Sequence, residues 1–297
     1  MKTVSRKRVI YTFSKKHKPV AFVQPGELVT IETEDAFGGQ IRNEKDSVQT
    51  LDWAKVDGAT GPIYVEGAEP GDTLAVQIID ITVPNKGVIV TVPKQGILAE
   101  KNIEPSTRIV RISKGHVDFL DIKLSINPMI GTIGVTPAES EIPCGSLGRH
   151  GGNMDVKEIT SRSKLFFPVF AKGALFAAGD LHAVQADGEL CVSAIEVSGE
   201  ISVKFEIIKN KKPEWPVLET KDSYSILACG ETLDEAAKLA TEAAANALMR
   251  QYRWPFETAY MFGSLAVELK INQVVDPKKG VRAAISKKYV DLESFLT

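Results

Sequence analysis

From Val20 to about Val92 the chain reads as short extended runs broken by turn residues, QPGELVTIETEDAFGGQ and then TGPIYVEGAEPGDTLAVQIIDITV. Runs this short, with apolar residues at alternate positions, bury a face by forming strands. The units PGELVTIET and PGDTLAVQIIDI each lead from a Pro-Gly turn into an alternating run, as successive strands of a sandwich or barrel require. The same style continues from Val117 to Ile208 in LDIKLSINPMIGTIGVTP, LFFPVFAKGALFAAGD and LCVSAIEVSGEISVKFEII. A mainly β body over residues 1–212 follows.

The character changes in ETLDEAAKLATEAAANALMRQYRWP. Thr232 can cap a helix with Glu235 three residues on, and Leu233, Ala236, Ala237, Ala240, Ala244, Ala247 and Leu248 form a stripe at helical spacing. A helix near 233–252 is expected, ended by Trp254 and Pro255, with a second helix starting at Pro255. The charged, proline-bearing KNKKPEWPVLE marks a subdomain edge, so 213–297 reads as an α+β C-terminal subdomain.

Charge excludes some partners. Lys plus Arg (36) nearly balances Asp plus Glu (38), which leaves no general electrostatic attraction for nucleic acid or an anionic membrane. No long apolar run or signal-peptide pattern opens the chain, and its three cysteines do not suggest a disulfide framework, so a cytoplasmic protein is expected. Uncovered strand edges and an alanine-faced helix point to a homo-oligomer, dimer or higher.

Several polar groups interrupt the apolar text. In GDLHAVQADGELCVSAIE, Asp180 and His182 share a face if the segment is a strand. Asp187 and Gly188 suit a hairpin turn that folds Leu190–Val197 back on Ala174–Val184, and the loop length decides whether Glu196 joins that face. An imidazole with two carboxylates suits a divalent ion with an open position for water. The competing reading makes His182 a hydrogen-bonded core residue and leaves Glu189 and Glu196 solvated. In SLGRHGGNMDVKEIT, His150 precedes Gly151 and Gly152, which permit a close backbone approach, and Asn153 and Asp155 lie two apart beyond them; an ordinary Gly-Gly turn would read the same way. Asp35 in TEDAFGGQI is a ligand or a turn cap. His116 in GHVDF becomes a ligand only through tertiary proximity, and Cys144 is a nucleophile only if His150 folds back to activate it.

Together TEDAFGGQI, NPMIGTIGVTP, RHGGNMDVKEIT, GDLHAVQADGE with AIEV, and ANALMRQY run in order over nearly the whole chain and resemble the acetamidase/formamidase family. The resemblance implies a strand-rich α+β fold with a jelly-roll-like β-sandwich, small barrel-like β parts and a C-terminal helical element. It implies hydrolysis of a small-molecule substrate, a short linear amide, with bound zinc or calcium. It carries over Asp35, His150, Asn153, Asp155, Asp180, His182 and Glu196. We assign Asp35, His150, Asp180 and His182 to the metal, Glu196, Asn153 and Asp155 to catalysis, and Gly151 and Gly152 to substrate binding. Ala186 stands where the family pattern suggests glycine, which bears on the turn but not on the carboxylates. The alternative from another class is a non-catalytic small-ligand or metal-binding β-sandwich, in which Asp180 and His182 hold a structural ion.

Overall fold

The computed structural model describes residues 2–138 and 141–297. Among them, most regular structure lies in two large sheets, with two α-helices near the C-terminus. The nine-stranded sheet runs Lys2–Val4, Leu28–Thr33, Gly199–Ile208, Thr73–Thr82, Lys164–Pro168, Val217–Glu219, Ser223–Gly230, Lys279–Ser286 and Val267–Ile271. Both Pro-Gly units deliver strands to it, Leu28–Thr33 and Thr73–Thr82, which flank Gly199–Ile208 antiparallel. Gly26 and Gly71 turn the chain at φ +86° and +98°, a region glycine enters without a side-chain clash.

The twelve-stranded sheet carries the polar segments. Phe176–His182 lies between Met129–Gly134 and Glu196–Val197, and Met129–Gly134 pairs in turn with Gly151–Asn153. Ile31, Val76 and Val203 of the first sheet share one core with Ile130, Ile133 and Leu181 of the second. The fold is strand-rich α+β as expected. No closed barrel forms among the described residues, because each sheet runs from one free edge to another.

Helix α1 spans Leu233–Tyr252, and its start is set as the sequence indicates: Thr232 Oγ1 accepts from Glu235 N at 3.2 Å, and Glu235 Oε2 accepts from Glu231 N at 2.8 Å. It buries Ala236, Ala240, Ala244, Ala247 and Leu248 on Ser223–Gly230 and Lys279–Ser286, where small side chains let helix and sheet approach closely. Arg253, in the left-handed region at φ +55°, ends it, and helix α2 runs Phe256–Ala266 after Pro255. Strands on both sides of the expected subdomain edge near 213–219 belong to the same nine-stranded sheet. Among the described residues no helix is long and apolar enough to cross a membrane.

Candidate active site

His182 is the last residue of Phe176–His182 and pairs directly with Glu196 across the sheet. Directly opposed residues point to the same face, so this register puts Glu196 beside His182. The connection is not the tight hairpin expected at Asp187 and Gly188. Residues 183–195 form a long excursion, because Asp187 is pulled away to Arg282 and Lys157, and Leu190 is exposed. Within it, Glu189 turns back at φ +45° and is buried, which goes against the competing reading that leaves it solvated.

Asp180 and Asp155 also take left-handed backbone conformations, at φ +54° and +48°. These are uncommon for residues with a side chain and concentrate where surrounding structure enforces them. Space for both carboxylates comes from Gly131 on the neighbouring strand: a Cβ there would sit 2.6 Å from Asp155 Oδ1 and would also strike Asp180 Oδ2.

The centre of the site is His182 Nε2, 3.1 Å from Asp180 Oδ1, 3.0 Å from Glu196 Oε2 and 4.0 Å from Glu189 Oε1. On the other side of the ring, Nδ1 lies 2.6 Å from Gln185 Oε1. Gln185 Nε2 donates to the Asp155 carbonyl at 2.9 Å, which turns the oxygen end of the amide toward the ring. Nδ1 therefore carries the hydrogen in the neutral imidazole, and the Nε2 lone pair faces the carboxylates; this tautomer is assigned from the hydrogen-bond network. Glu196 is held by one oxygen, Oε1 accepting from Ala194 N at 2.8 Å and Ser193 Oγ at 3.2 Å, while Oε2 has only His182 Nε2 beside it, at 3.0 Å. Both oxygens of Asp155 are buried without a donor.

Two further carboxylates face this group, and no motif singled them out. Asp57 stands in the cleft wall after a short 3-10 turn. Asp276 comes from the connection between Val267–Ile271 and Lys279–Ser286, where Gln273 Oε1 accepts from its backbone N at 2.9 Å. Glu189 and these two were absent from the assigned set. Glu189 lay inside the ADGE stretch and could have been found there, whereas the text around Asp57 and Asp276 reads as ordinary turns.

Burial is the first cause of the unusual acidity. It pushes Asp155 up to about 7, with the charge of Asp180 adding to it, and raises Glu196 as well, partly opposed by His182. Glu189, Asp57 and Asp276 are pushed well above the carboxylate range by burial and then by their acidic neighbours. Burial works against a charged His182, but Glu196 and Asp180 outweigh it and hold the group well above its ordinary value.

The other assigned residues are placed differently. Asn153 lines the cleft, its Oδ1 accepting from Thr132 Oγ1 at 2.8 Å and its Nδ2 donating to Asp276 Oδ2 at 3.1 Å. One Nδ2 hydrogen remains for a ligand. Asp35 Oδ1 accepts from Gly39 N at 3.0 Å and caps the turn whose Ala36 and Phe37 line the cleft. His150 stands outside both groups of possible ligands, with its ring edge-on to Phe13 at 5.1 Å and neither nitrogen hydrogen-bonded. Gly151 and Gly152 do not face the cleft; a Cβ on either would strike the backbone of Ile133 or Ser146, so they let strands approach. Cys144 is buried beside Phe13 and Ala177, and its thiol is pushed up to about 12 by burial, which leaves it protonated and unsuited to attack. His116 is exposed and bonds the Lys114 carbonyl.

Asp155, Asp180 and His182 can offer one ligand atom each within a common shell, and His182, Glu189 and Glu196 form a second such group. The cleft, of about 620 Å³, has no lysine or arginine in its lining among the described residues. Buried carboxylate oxygens with no protein donor other than His182, an imidazole nitrogen set among them and no basic side chain fit a divalent cation.

Comparison with known proteins agrees with this geometry. The chain is 27% identical to a formamidase of Methylophilus methylotrophus, over 86% of this chain and 83% of that protein. It is similar to the crystal structure of an acetamidase from Bacillus halodurans at 36% identity and TM-score 0.95, covering 99% of both chains. A structure described as a predicted acetamidase/formamidase from Thermoanaerobacter tengcongensis matches at 39% identity and TM-score 0.95, covering 99% of this chain and 97% of that one. The model of the acetamidase/formamidase family matches residues 11–144 and 142–287. With both halves of the chain matched, and with relatives this similar over their full length, the chain belongs to the acetamidase/formamidase family.

Proposed function

We propose that this protein hydrolyses short linear amides, of the formamide and acetamide class, to a carboxylate and ammonia. The observation that carries the proposal is the convergence of Asp180, Glu189 and Glu196 on Nε2 of His182, with Asp155 Oδ1 3.8 Å from Nδ1 of the same ring and Asp57 and Asp276 lining the cleft beside them. The names of the relatives supply the substrate class.

An amide carbonyl is a poor electrophile, and its amine leaves only once protonated. A divalent cation, with zinc first and calcium as the alternative, would polarise the carbonyl and make water acidic near neutral pH. His182, Asp180 and Asp155 would hold it, with Gln185 fixing the ring from behind. Glu196 has one oxygen anchored and the other beside His182 Nε2, and its raised affinity for a proton suits it to take one from water and deliver it to the leaving nitrogen. Asn153 orients Asp276 and offers its second Nδ2 hydrogen to the amide oxygen. Phe37, Trp53, Val92 and Val192 give the cleft apolar walls for the acyl group.

The deciding experiment measures ammonia release from formamide and acetamide by chelator-stripped protein, before and after zinc or calcium is restored. Release that disappears and returns supports the reading. Full release by the stripped protein would remove the cation, and no release in any state would favour a binding protein with a structural ion.

A further inference from the structure

The cleft is far larger than formamide or acetamide. At about 30 Å³ per non-hydrogen atom, a water molecule's share of the liquid, acetamide fills roughly a fifth of its volume of about 620 Å³. Clefts of roughly 300–1,000 Å³ enclose drug-sized molecules, so the site has room for an acyl group that carries a ring.

Phe37 and Trp53 stand in the cleft wall on two different loops, and those loops are fastened together. Gln40 Oε1 accepts from Asp52 N at 2.9 Å, and Gln40 Nε2 donates to the Phe37 carbonyl at 2.9 Å, so one side-chain amide spans both. Asp57 N donates to the Ala36 carbonyl at 2.8 Å. Gly38 lets the loops approach, since a Cβ there would sit 2.9 Å from the Lys55 carbonyl oxygen. Asp52 Oδ1 caps the short 3-10 turn that carries Trp53, accepting from Ala54 N at 3.2 Å. Phe37 is packed into a small core of its own with Ile41, Val48 and Val92, whereas Trp53 stays 46% exposed. A tryptophan on a braced loop, uncovered in a cleft wall, offers a large apolar surface at low entropic cost, and such side chains dominate binding energies.

Charge narrows the ligand further. Asp57, Asp180, Glu189, Glu196 and Asp276 line the same cleft, and among the described residues no lysine or arginine does. An acyl chain ending in a carboxylate would meet like charge there and find no basic side chain to pair with. We propose that Trp53 selects the acyl group: besides short linear amides, the site takes primary amides with a neutral aromatic acyl group, of the 2-phenylacetamide class, and turns these over with the higher kcat/KM. This rests on the amide-hydrolase reading and leaves its chemistry unchanged. The acyl C–N bond is replaced by a C–O bond from water, and the nitrogen leaves as ammonia.

Ammonia release and binding by titration calorimetry test the proposal on the full chain supplied with zinc or calcium, using acetamide, 2-phenylacetamide and succinamate with wild type, Trp53→Ala and Trp53→Phe. In wild type, kcat/KM for 2-phenylacetamide is expected to exceed that for acetamide by at least about tenfold, with succinamate the poorest of the three. Trp53→Ala is expected to remove most of that ratio and Trp53→Phe to keep part of it. Circular dichroism checks that each variant is folded. Acetamide turned over as well as 2-phenylacetamide, succinamate turned over as well as 2-phenylacetamide, or a ratio unchanged in Trp53→Ala would overturn the proposal while the hydrolase reading stands. No turnover of any amide, with 2-phenylacetamide still bound more tightly than acetamide in a way that depends on Trp53, would remove the hydrolase reading and keep the selecting role of Trp53. Loss of both turnover and that binding preference would remove both.

Discussion

Gln185 decides which nitrogen of His182 faces the carboxylates. With its oxygen held toward Nδ1 at 2.6 Å, the ring presents a lone pair at Nε2 and is pre-oriented as a ligand. Gln185→Leu should therefore weaken cation affinity by about 10–100-fold, whereas Gln185→Glu keeps the acceptor for Nδ1 but loses the donor to the Asp155 carbonyl, so its affinity should fall between the leucine variant and wild type. Competition against a chelator of known affinity measures both; equal affinity in the leucine variant would separate Gln185 from the site. The same cluster sets a pH dependence for metal-free protein. Asp155 and its acidic neighbours bind protons more tightly folded than unfolded, as does His182, so each adds stability at low pH that is lost as pH rises toward its folded value. His150, pulled down to about 4 by burial, works the other way below about 6.5. Between pH 7.5 and 6.5 the raised groups outnumber it, each fully shifted one contributing up to about 1.4 kcal/mol per pH unit. Calorimetry of chelator-treated protein should show a higher Tm at pH 6.5 than at 7.5.

At the level of elements, Arg282 ties the segments that bring the carboxylates together. It is fully buried on Lys279–Ser286 and donates from Nη2 to Glu158 and to both oxygens of Asp187, and from Nη1 to the Ile271 carbonyl and Asn272 Oδ1. These contacts anchor the chain three residues after Asp155, two before Glu189 and four before Asp276. Arg282→Met should cost about 3 kcal/mol, the low end for breaking a buried pair, because Glu158 and Asp187 each keep about a third of their surface in water. A urea midpoint unchanged in that variant would show that the clamp is dispensable. The reach of Arg282 also explains what could be read from sequence. Periodicity revealed α1 and the two Pro-Gly strands, since local spacing alone determines which face an element buries. Asp180 and His182 were visible because they sit two apart. The path of 183–195 was not, because Asp187 is drawn to an arginine 95 residues away rather than turning on its neighbour glycine. Asp57 and Asp276 were invisible for the same reason: only tertiary folding makes them part of the site.

Across the whole molecule, the cleft is where the two large sheets are joined chemically. Asp180, His182 and Glu196 stand on the twelve-stranded sheet, whereas Asp276 comes from a connection at the end of the nine-stranded one, and Gln273 bridges to Gly188 beside it. Carboxylates drawn from both sheets repel one another unless protons or a cation lie between them. A cation bound there is therefore expected to hold the two sheets together and to stabilise the entire fold. At a thousandfold excess over its dissociation constant it adds about 4 kcal/mol, and at roughly 2 °C per kcal/mol for a chain of this size Tm should rise by roughly 8 °C. Thermal scans of stripped protein with zinc, with calcium and with neither would measure this and rank the two ions. The restored protein should also lose most of the pH dependence between 6.5 and 7.5, because carboxylates engaged by a cation no longer take up protons in that range. A Tm indifferent to both ions, with the pH dependence intact, would mean that protons alone keep the carboxylates together, and the role of His182 as a ligand would fall with it.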